Sequence, residues 1–218
     1  NSFSCRLRKG AHKAINCFRS FGYIVSQNNT RTCWVLKCDI RKFFANIDHQ
    51  ILKDILKKYI FDKDILWLLD SIIDSFHPGL PLGNLTSQLL VNIYMNEFDQ
   101  FIKHKIKMKY YIRYADDFVA LSEDKSYLYN LIFITEVLLQ KELKLELHQN
   151  KIFIKTFTSG VDFLGWVNFP DHWILRTSTK RRMLKRIKES RKPETITSYL
   201  GLLKHGNTYK IREILINL

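Results

Sequence analysis

Apolar residues along the first half of the chain recur at helical spacing, then at strand spacing, then at helical spacing again. In residues 10–21 (GAHKAINCFRSF) they fall at Ala14, Ile15 and Phe18, which predicts a helix. A loop follows at Asn28, Asn29 and Thr30, and CWVLKCDI then reads as a short buried strand ending at Asp39. Asp48 is placed to cap a helix that has Ile51, Leu52, Ile55, Leu56 and Tyr59 on one face. A further helix covers residues 63–76 and stops before His77-Pro78-Gly79. The loop GLPLGN then leads to Thr86 or Ser87 as the cap of a long helix through Ile102. Its Leu89, Leu90, Ile93, Tyr94, Phe98 and Phe101 are expected to face inward.

Residues 110–114 and 117–121 read as two strands around a turn at Asp116, apolar on nearly both faces. A helix over 126–142 follows, then short strands around 145–147 and 151–157. Next comes a hairpin made of VDFLGWVNF and WILR, turned at Pro170-Asp171. The tail changes character. TKRRMLKRIKESRK (179–192) carries eight basic residues, one acid and a narrow apolar stripe of Met183, Leu184 and Ile187. Two more helices are expected at 195–204 and 208–217, punctuated by Gly206.

The chain has 218 residues, enough for one sizeable core or two small ones. With 46% hydrophobic and 13% aromatic residues it is globular rather than disordered. Apolar runs such as ILWLLDSII are interrupted by acids and fall short of a membrane span. The first residues carry no secretory pattern, and because Asn1 stands in mid-pattern, upstream sequence is expected. Thirty-five Lys and Arg against 21 Asp and Glu give a net charge of +14, which favours a polyanionic partner over a merely basic surface. Cys5, Cys17, Cys33 and Cys38 form no CxxC pair and have no His at finger spacing. Reduced cysteines in a cytoplasmic protein are the expectation.

Asp116 and Asp117 taken alone suit a turn, since Asp bonds readily to nearby backbone. Asp39 alters the balance. Like Asp116 it ends a run apolar enough for a central strand, where a lone carboxylate is costly to bury. Two such carboxylates can share divalent cations. Magnesium prefers oxygen ligands, and two ions about 3.5–4 Å apart can serve in-line phosphoryl transfer. From these residues alone, the turn and the metal site both remain open.

DIRKFFANIDH, GLPLGNLTSQLLVNIYMNEFD, YIRYADDF and VDFLGW, in that order, resemble the palm motifs of reverse transcriptases. FSCRLRKGAHKAI resembles a fingers motif and SYLGLLKHGNTYKIRE part of a thumb, so the resemblance covers essentially the whole chain. One departure narrows it. Where most of the family carries Gln-Gly and Ser-Pro before the long palm helix, this chain reads LGNLTSQ, with Leu82 for the Gln and Gln88 for the Pro. That pattern is similar to the reverse transcriptases of diversity-generating retroelements, and it argues against group II intron maturases and retrons.

The resemblance implies an α+β fold: a right-hand polymerase palm with an antiparallel sheet and helices on one face, partial fingers over 1–32, palm over 33–176 and a small helical thumb over 177–218. It implies an RNA-directed DNA polymerase that extends a DNA or RNA primer on template RNA with dNTPs, error-prone in the service of sequence diversification. Two Mg2+ ions, replaceable by Mn2+, would be held by Asp39, Asp116, Asp117 and the backbone carbonyl of Ile40. A small basic accessory protein and no membrane association are further expectations. Alternatives are an intron-type, CRISPR-associated or antiphage reverse transcriptase, or a nucleic-acid-binding remnant without activity.

Other roles carry over position by position. Phe44 matches the steric gate against a ribose 2′-hydroxyl, or is a core aromatic beside Phe43. Arg6 and Lys9 match positions that clamp the triphosphate, or belong to a solvated charge run. Leu82 and Gly83 lie at the nucleotide, where an apolar Leu82 cannot hydrogen-bond as a Gln could. Lys151 matches a lysine able to protonate the departing pyrophosphate, or is an exposed strand-end lysine. Phe163, Leu164, Gly165 and Trp166 resemble the primer-grip hairpin, where Gly165 permits close backbone approach, although Trp166 also suits a core. Lys180, Arg181 and Lys185 would contact phosphates of the template–primer duplex, or form a solvated helix face.

Overall fold

The computed structural model describes residues 2–190 and 192–216. Its centre is a four-stranded antiparallel sheet of order β2-β3-β1-β4, with β1 at Trp34–Cys38, β2 at Tyr111–Tyr114, β3 at Asp117–Ser122 and β4 at Phe153–Thr156. The register sets Cys38 opposite Phe118, Tyr114 opposite Asp117 and Lys37 opposite both Val119 and Phe153. Side chains alternate across a strand, so Leu36, Cys38, Phe118, Ala120 and Tyr111 face one side while Val35, Ile112, Val119 and Leu121 face the other.

Helices α2 (His49–Lys57), α3 (Lys63–Asp74), α4 (Leu85–Tyr94), α5 (Asn96–Gln100) and α6 (Lys125–Leu143) build the core on the first side. Asp48, Asp62 and Asp124 cap α2, α3 and α6. Each carboxylate accepts from a backbone N–H of the first turn, at 3.0 Å from Ile51, 2.9 Å from Asp64 and 2.8 Å from Ser126. The opposite side is only half covered. Helix α1 (Ala11–Val25), a three-stranded sheet of β5 (Val161–Phe163), β6 (Trp166–Asn168) and β7 (Trp173–Leu175), and α7 (Thr177–Glu189) pack over Val35, Ile112, Val119 and Leu121. The end of this face that carries Lys37 and Asp117 stays partly open to solvent. Two short helices, α8 (Pro193–Leu202) and α9 (Tyr209–Ile216), close the chain. Among the described residues no helix is long and apolar enough to cross a membrane.

Five expectations are corrected. The long helix begins after Asn84, so Thr86 and Ser87 lie inside it, and it is interrupted at Met95 and wound as a π-turn over Phe101–Lys105. Leu89 is exposed because successive residues stand about 100° apart on a helix; with Ser87, Leu90, Val91 and Tyr94 turned inward, Leu89 is carried outward. Tyr59 is exposed because α2 ends before it. Residues 145–147 are not a strand but make a single bridge, Leu147 to Ile40, and a tight turn at Gln149–Lys151 delays β4 to Phe153. The expected long strand VDFLGWVNF is folded on itself at Leu164-Gly165. Both have positive φ, 51° and 86°, which matches the twist of a two-residue hairpin and puts Phe163 opposite Trp166.

Candidate active site

Asp39 follows β1 and Asp116 sits in the turn between β2 and β3. The neighbouring strands β1 and β3 therefore deliver Asp39, Asp116 and Asp117 to one end of the sheet. The chain after β1 is held by bonds from Arg41 N–H to the Glu146 carbonyl (2.9 Å) and from His148 N–H to the Asp39 carbonyl (2.8 Å). In that pattern Ile40 and Leu147 form a non-hydrogen-bonded pair, so the Ile40 carbonyl faces away from Leu147, toward the β3 side.

Burial, and then the Asp39 charge, hold the Asp116 carboxyl above the usual carboxylate range against the pull of its own backbone bond, Lys151 and Lys37. Asp117 is raised to about 6, first by burial and then by Asp116 and Asp39, with Lys37 opposing. Two lysines answer these charges. Lys151 Nζ stands 3.0 Å from both oxygens of Asp39, and Lys37 Nζ stands 3.5 Å from Asp117 Oδ1. Lys37 is a site residue that the sequence reading missed. The available signal was a cation in a buried strand two residues before Asp39, on the face that strand alternation gives to Asp117.

The donor set suits a hard, oxygen-preferring cation. Asp117 Oδ1 is buried without a hydrogen-bond partner, despite its ion pair, and the Lys151 ammonium spans Asp39 as a cation would. The expected three-carboxylate cluster is not preassembled: among the described residues no three His, Cys, Asp or Glu groups already converge on one point. Asp39 and Asp117 each lean on a lysine instead.

Phe44 is half-buried and packs edge-on against Phe43 at 5.4 Å. Its carbonyl accepts from Leu80 N–H at 2.8 Å, which ties loop 79–84 to the turn bearing Phe44. Gly79, at φ 69°, lies so close that an added Cβ would stand 2.2 Å from the Phe44 oxygen. His49 Nε2 meets the Gly79 carbonyl at 2.7 Å, a structural tie at the start of α2. Leu82 and Gly83 are exposed on this loop. The loop of Arg6 and Lys9 is also exposed. It is anchored by Phe3 N–H to the Arg113 carbonyl (2.9 Å) and by Cys5 Sγ to Gln88 Oε1 (2.8 Å), with Lys9 over the Phe3 ring.

Phe163 and Trp166 turn their side chains into the second core, leaving only the Leu164-Gly165 tip of that hairpin accessible. A Cβ on Gly165 would meet nothing nearer than Thr179 Oγ1 at 4.0 Å, so the backbone is open to close approach. On α7, Met183 and Ile187 are buried, Lys180 is partly exposed, and Arg181 and Lys185 are exposed on its outer side.

A family model described as reverse transcriptase (RNA-dependent DNA polymerase) matches residues 3–168. Protein YkfC of Escherichia coli (strain K12) is 26% identical over 206 residues, covering 75% of this chain and 54% of its own length. Group II intron-encoded protein LtrA of Lactococcus lactis subsp. cremoris is 32% identical over 87 residues, 35% of this chain and 14% of its own. The chain thus spans about half of YkfC and a smaller part of LtrA. The intron-encoded class, against which LGNLTSQ was expected to argue, is among its relatives. Telomerase from Candida albicans, solved in complex with a TWJ fragment of telomeric RNA, superposes with a TM-score of 0.60 at 12% identity, over 80% of this chain and 36% of that one. This likeness is one of fold: the four-stranded sheet and its helices are a polymerase palm. With residues 3–168, well over half of the chain, matched by the family model, the chain belongs to the reverse transcriptase family.

Proposed function

We propose that the chain is the catalytic core of an RNA-directed DNA polymerase that extends a primer 3′-hydroxyl on template RNA, with residues 1–32 as partial fingers, 33–176 as palm and 177–218 as thumb. The placement of Asp39, Asp116 and Asp117 at the same end of the sheet, delivered there by the paired strands β1 and β3, supports this reading. Asp39, Asp116, the Ile40 carbonyl and Asp117 would hold two magnesium ions, which supply activation of the attacking hydroxyl and charge neutralisation at the leaving pyrophosphate. Arg6 and Lys9 would bind the triphosphate, Phe44 would sense the sugar, and Leu82 and Gly83 would line the nucleotide. Lys151, released from Asp39, would stand ready to protonate the pyrophosphate. The Leu164-Gly165 tip would approach the primer, and Lys180, Arg181 and Lys185 would grip duplex phosphates without reading sequence.

The finer reading is a diversity-generating retroelement enzyme, error-prone at template adenines, supported by the LGNLTSQ box. A second reading, a group II intron-type enzyme, is favoured by the likeness to LtrA. Primer extension on an RNA template, with and without divalent metal, tests the activity: extension requires metal and is lost in Asp116→Asn with the fold retained. Activity in that variant defeats the site. Sequencing the products separates the subtypes. Errors concentrated at adenine, reduced by Leu82→Gln, support diversification, and uniformly low error supports the intron type.

A further inference from the structure

Arg113 stands in the middle of YIRYADD and has no solvent exposure at all. Strand alternation turns it away from the open face, into the helix layer behind the Asp116 turn. A guanidinium cannot shed its charge, so burial demands a full set of acceptors. Asp99 of α5 supplies two, Oδ1 at 2.9 Å from Nε and Oδ2 at 2.6 Å from Nη2, and Tyr111 Oη donates to the same Asp99 Oδ1 at 2.8 Å. The remaining nitrogen, Nη1, reaches two different places. It donates to the carbonyl of Ala115 at 2.9 Å and to Asn92 Oδ1 at 3.4 Å.

Ala115 is the residue before Asp116 and holds a left-handed φ of 55°. A residue with a Cβ takes that conformation only when its surroundings impose it. The bond from Arg113 fixes the carbonyl of the strained residue. Asn92, on α4, is a junction. Its Oδ1 also accepts from Ser2 Oγ at 3.0 Å, and its Nδ2 donates to the Ser4 carbonyl at 3.2 Å and the Gln88 carbonyl at 3.0 Å. The backbone of Arg113 accepts from Phe3 N–H on the same segment. A continuous set of hydrogen bonds therefore runs from the segment that leads into Arg6, through Asn92 and Arg113, to the turn that carries Asp116.

We propose that Arg113 is a positioning residue that sets the Asp116 turn, and that Asn92 couples it to the N-terminal segment so that the Arg6 loop and the turn move as one unit. The proposal rests on the reading of Asp116 as a metal ligand. Its consequence for nucleotide addition is that triphosphate contact and carboxylate placement are fixed together. Arginine is required because lysine can keep the charge opposite Asp99 but cannot make the forked pair and the Ala115 bond at once.

The test compares Arg113→Lys and Asn92→Ala with wild type by thermal melting, amide hydrogen exchange and steady-state primer extension. Both variants are expected to fold. Exchange at the amides of 115–118 should rise about fivefold, the equivalent of one lost hydrogen bond. In Asn92→Ala, exchange should rise at residues 3–5 as well. Extension kcat should drop roughly ten- to hundredfold, as for small misplacements of a catalytic group, with duplex binding unchanged. A merely structural role would lower the melting temperature and leave turn exchange and kcat at wild-type values once folded. Should Arg113→Lys not fold, Asn92→Ala decides alone. Exchange altered only at residues 3–5, or kcat unchanged in a folded variant, overturns the coupling. Exchange does not depend on activity, so a wild-type chain without extension defeats the proposed function while the coupling is still tested.

Discussion

Replacing Asp117 by Asn should stabilise the metal-free protein at neutral pH while impairing its chemistry. The Asp117 side chain keeps only 23% of its exposure, and its carboxyl is raised from 3.8 to about 6 by burial and by its carboxylate neighbours. At about 1.4 kcal/mol per pH unit, the ionised group therefore costs the fold about 3 kcal/mol above pH 6. A raised carboxyl means that the folded state binds the proton more tightly than the unfolded chain does. Its stability contribution is complete below about pH 3.8 and is lost as pH rises through about 6. The isosteric amide removes the cost. It also removes the partner of Lys37, whose side chain is 12% exposed, and this offsets part of the gain. A net gain of about 1–3 kcal/mol corresponds to a melting temperature about 2–10 °C higher for a chain of this size.

The assay is thermal denaturation of Asp117→Asn and wild type in chelator at pH 8 and pH 5. The advantage should be largest at pH 8 and fall to about half by pH 5, where the wild-type carboxyl is mostly protonated. Added magnesium should raise the wild-type melting temperature more than that of the variant. A variant that melts below wild type at pH 8, or that keeps the same advantage at both pH values, refutes the reasoning.

Gly79→Ala should lose about 2–3 kcal/mol, because φ is 69° and the new Cβ would press on the Phe44 carbonyl; an unchanged melting curve contradicts this. Phe44→Val should raise ribonucleotide incorporation relative to deoxyribonucleotide in primer extension, with only a modest fall in melting temperature, since the side chain is only half-buried. Unaltered sugar discrimination removes Phe44 from the gate role. Arg181→Ser and Lys185→Ser should each reduce the slope of log affinity against log salt for an RNA–DNA hybrid by about 1, equally across sequences. Neither should change the melting temperature, because the Lys185–Glu189 pair is exposed. A wild-type slope in both variants would make this helix face a bystander.

Much of the molecule was legible from short-range pattern. The cap at Asp48, the buried stripe of α1, the strands on either side of Asp116 and the stripe of Met183 and Ile187 are local matters of spacing and hydrogen-bonding side chains, and they fold as read. Misreadings arose where one period was extended past a geometric limit. Leu89 obeyed helical spacing loosely but stood one residue from the true inward line. VDFLGWVNF alternated like one strand, yet Leu164-Gly165 could take positive φ and fold it in two.

The sequence by itself determined the elements, the family motifs and the positions of Asp39, Asp116 and Asp117 at strand ends. Tertiary structure alone decided what stands opposite each of them. Lys151 is 112 residues from Asp39, and Asp99 reaches Arg113 across the boundary between helix layer and sheet. No periodicity encodes such pairings, because the cost of a buried charge is relieved by whichever counter-charge the fold brings close. The sequence specified which charges had to be answered, and the packing of sheet on helix chose the partners.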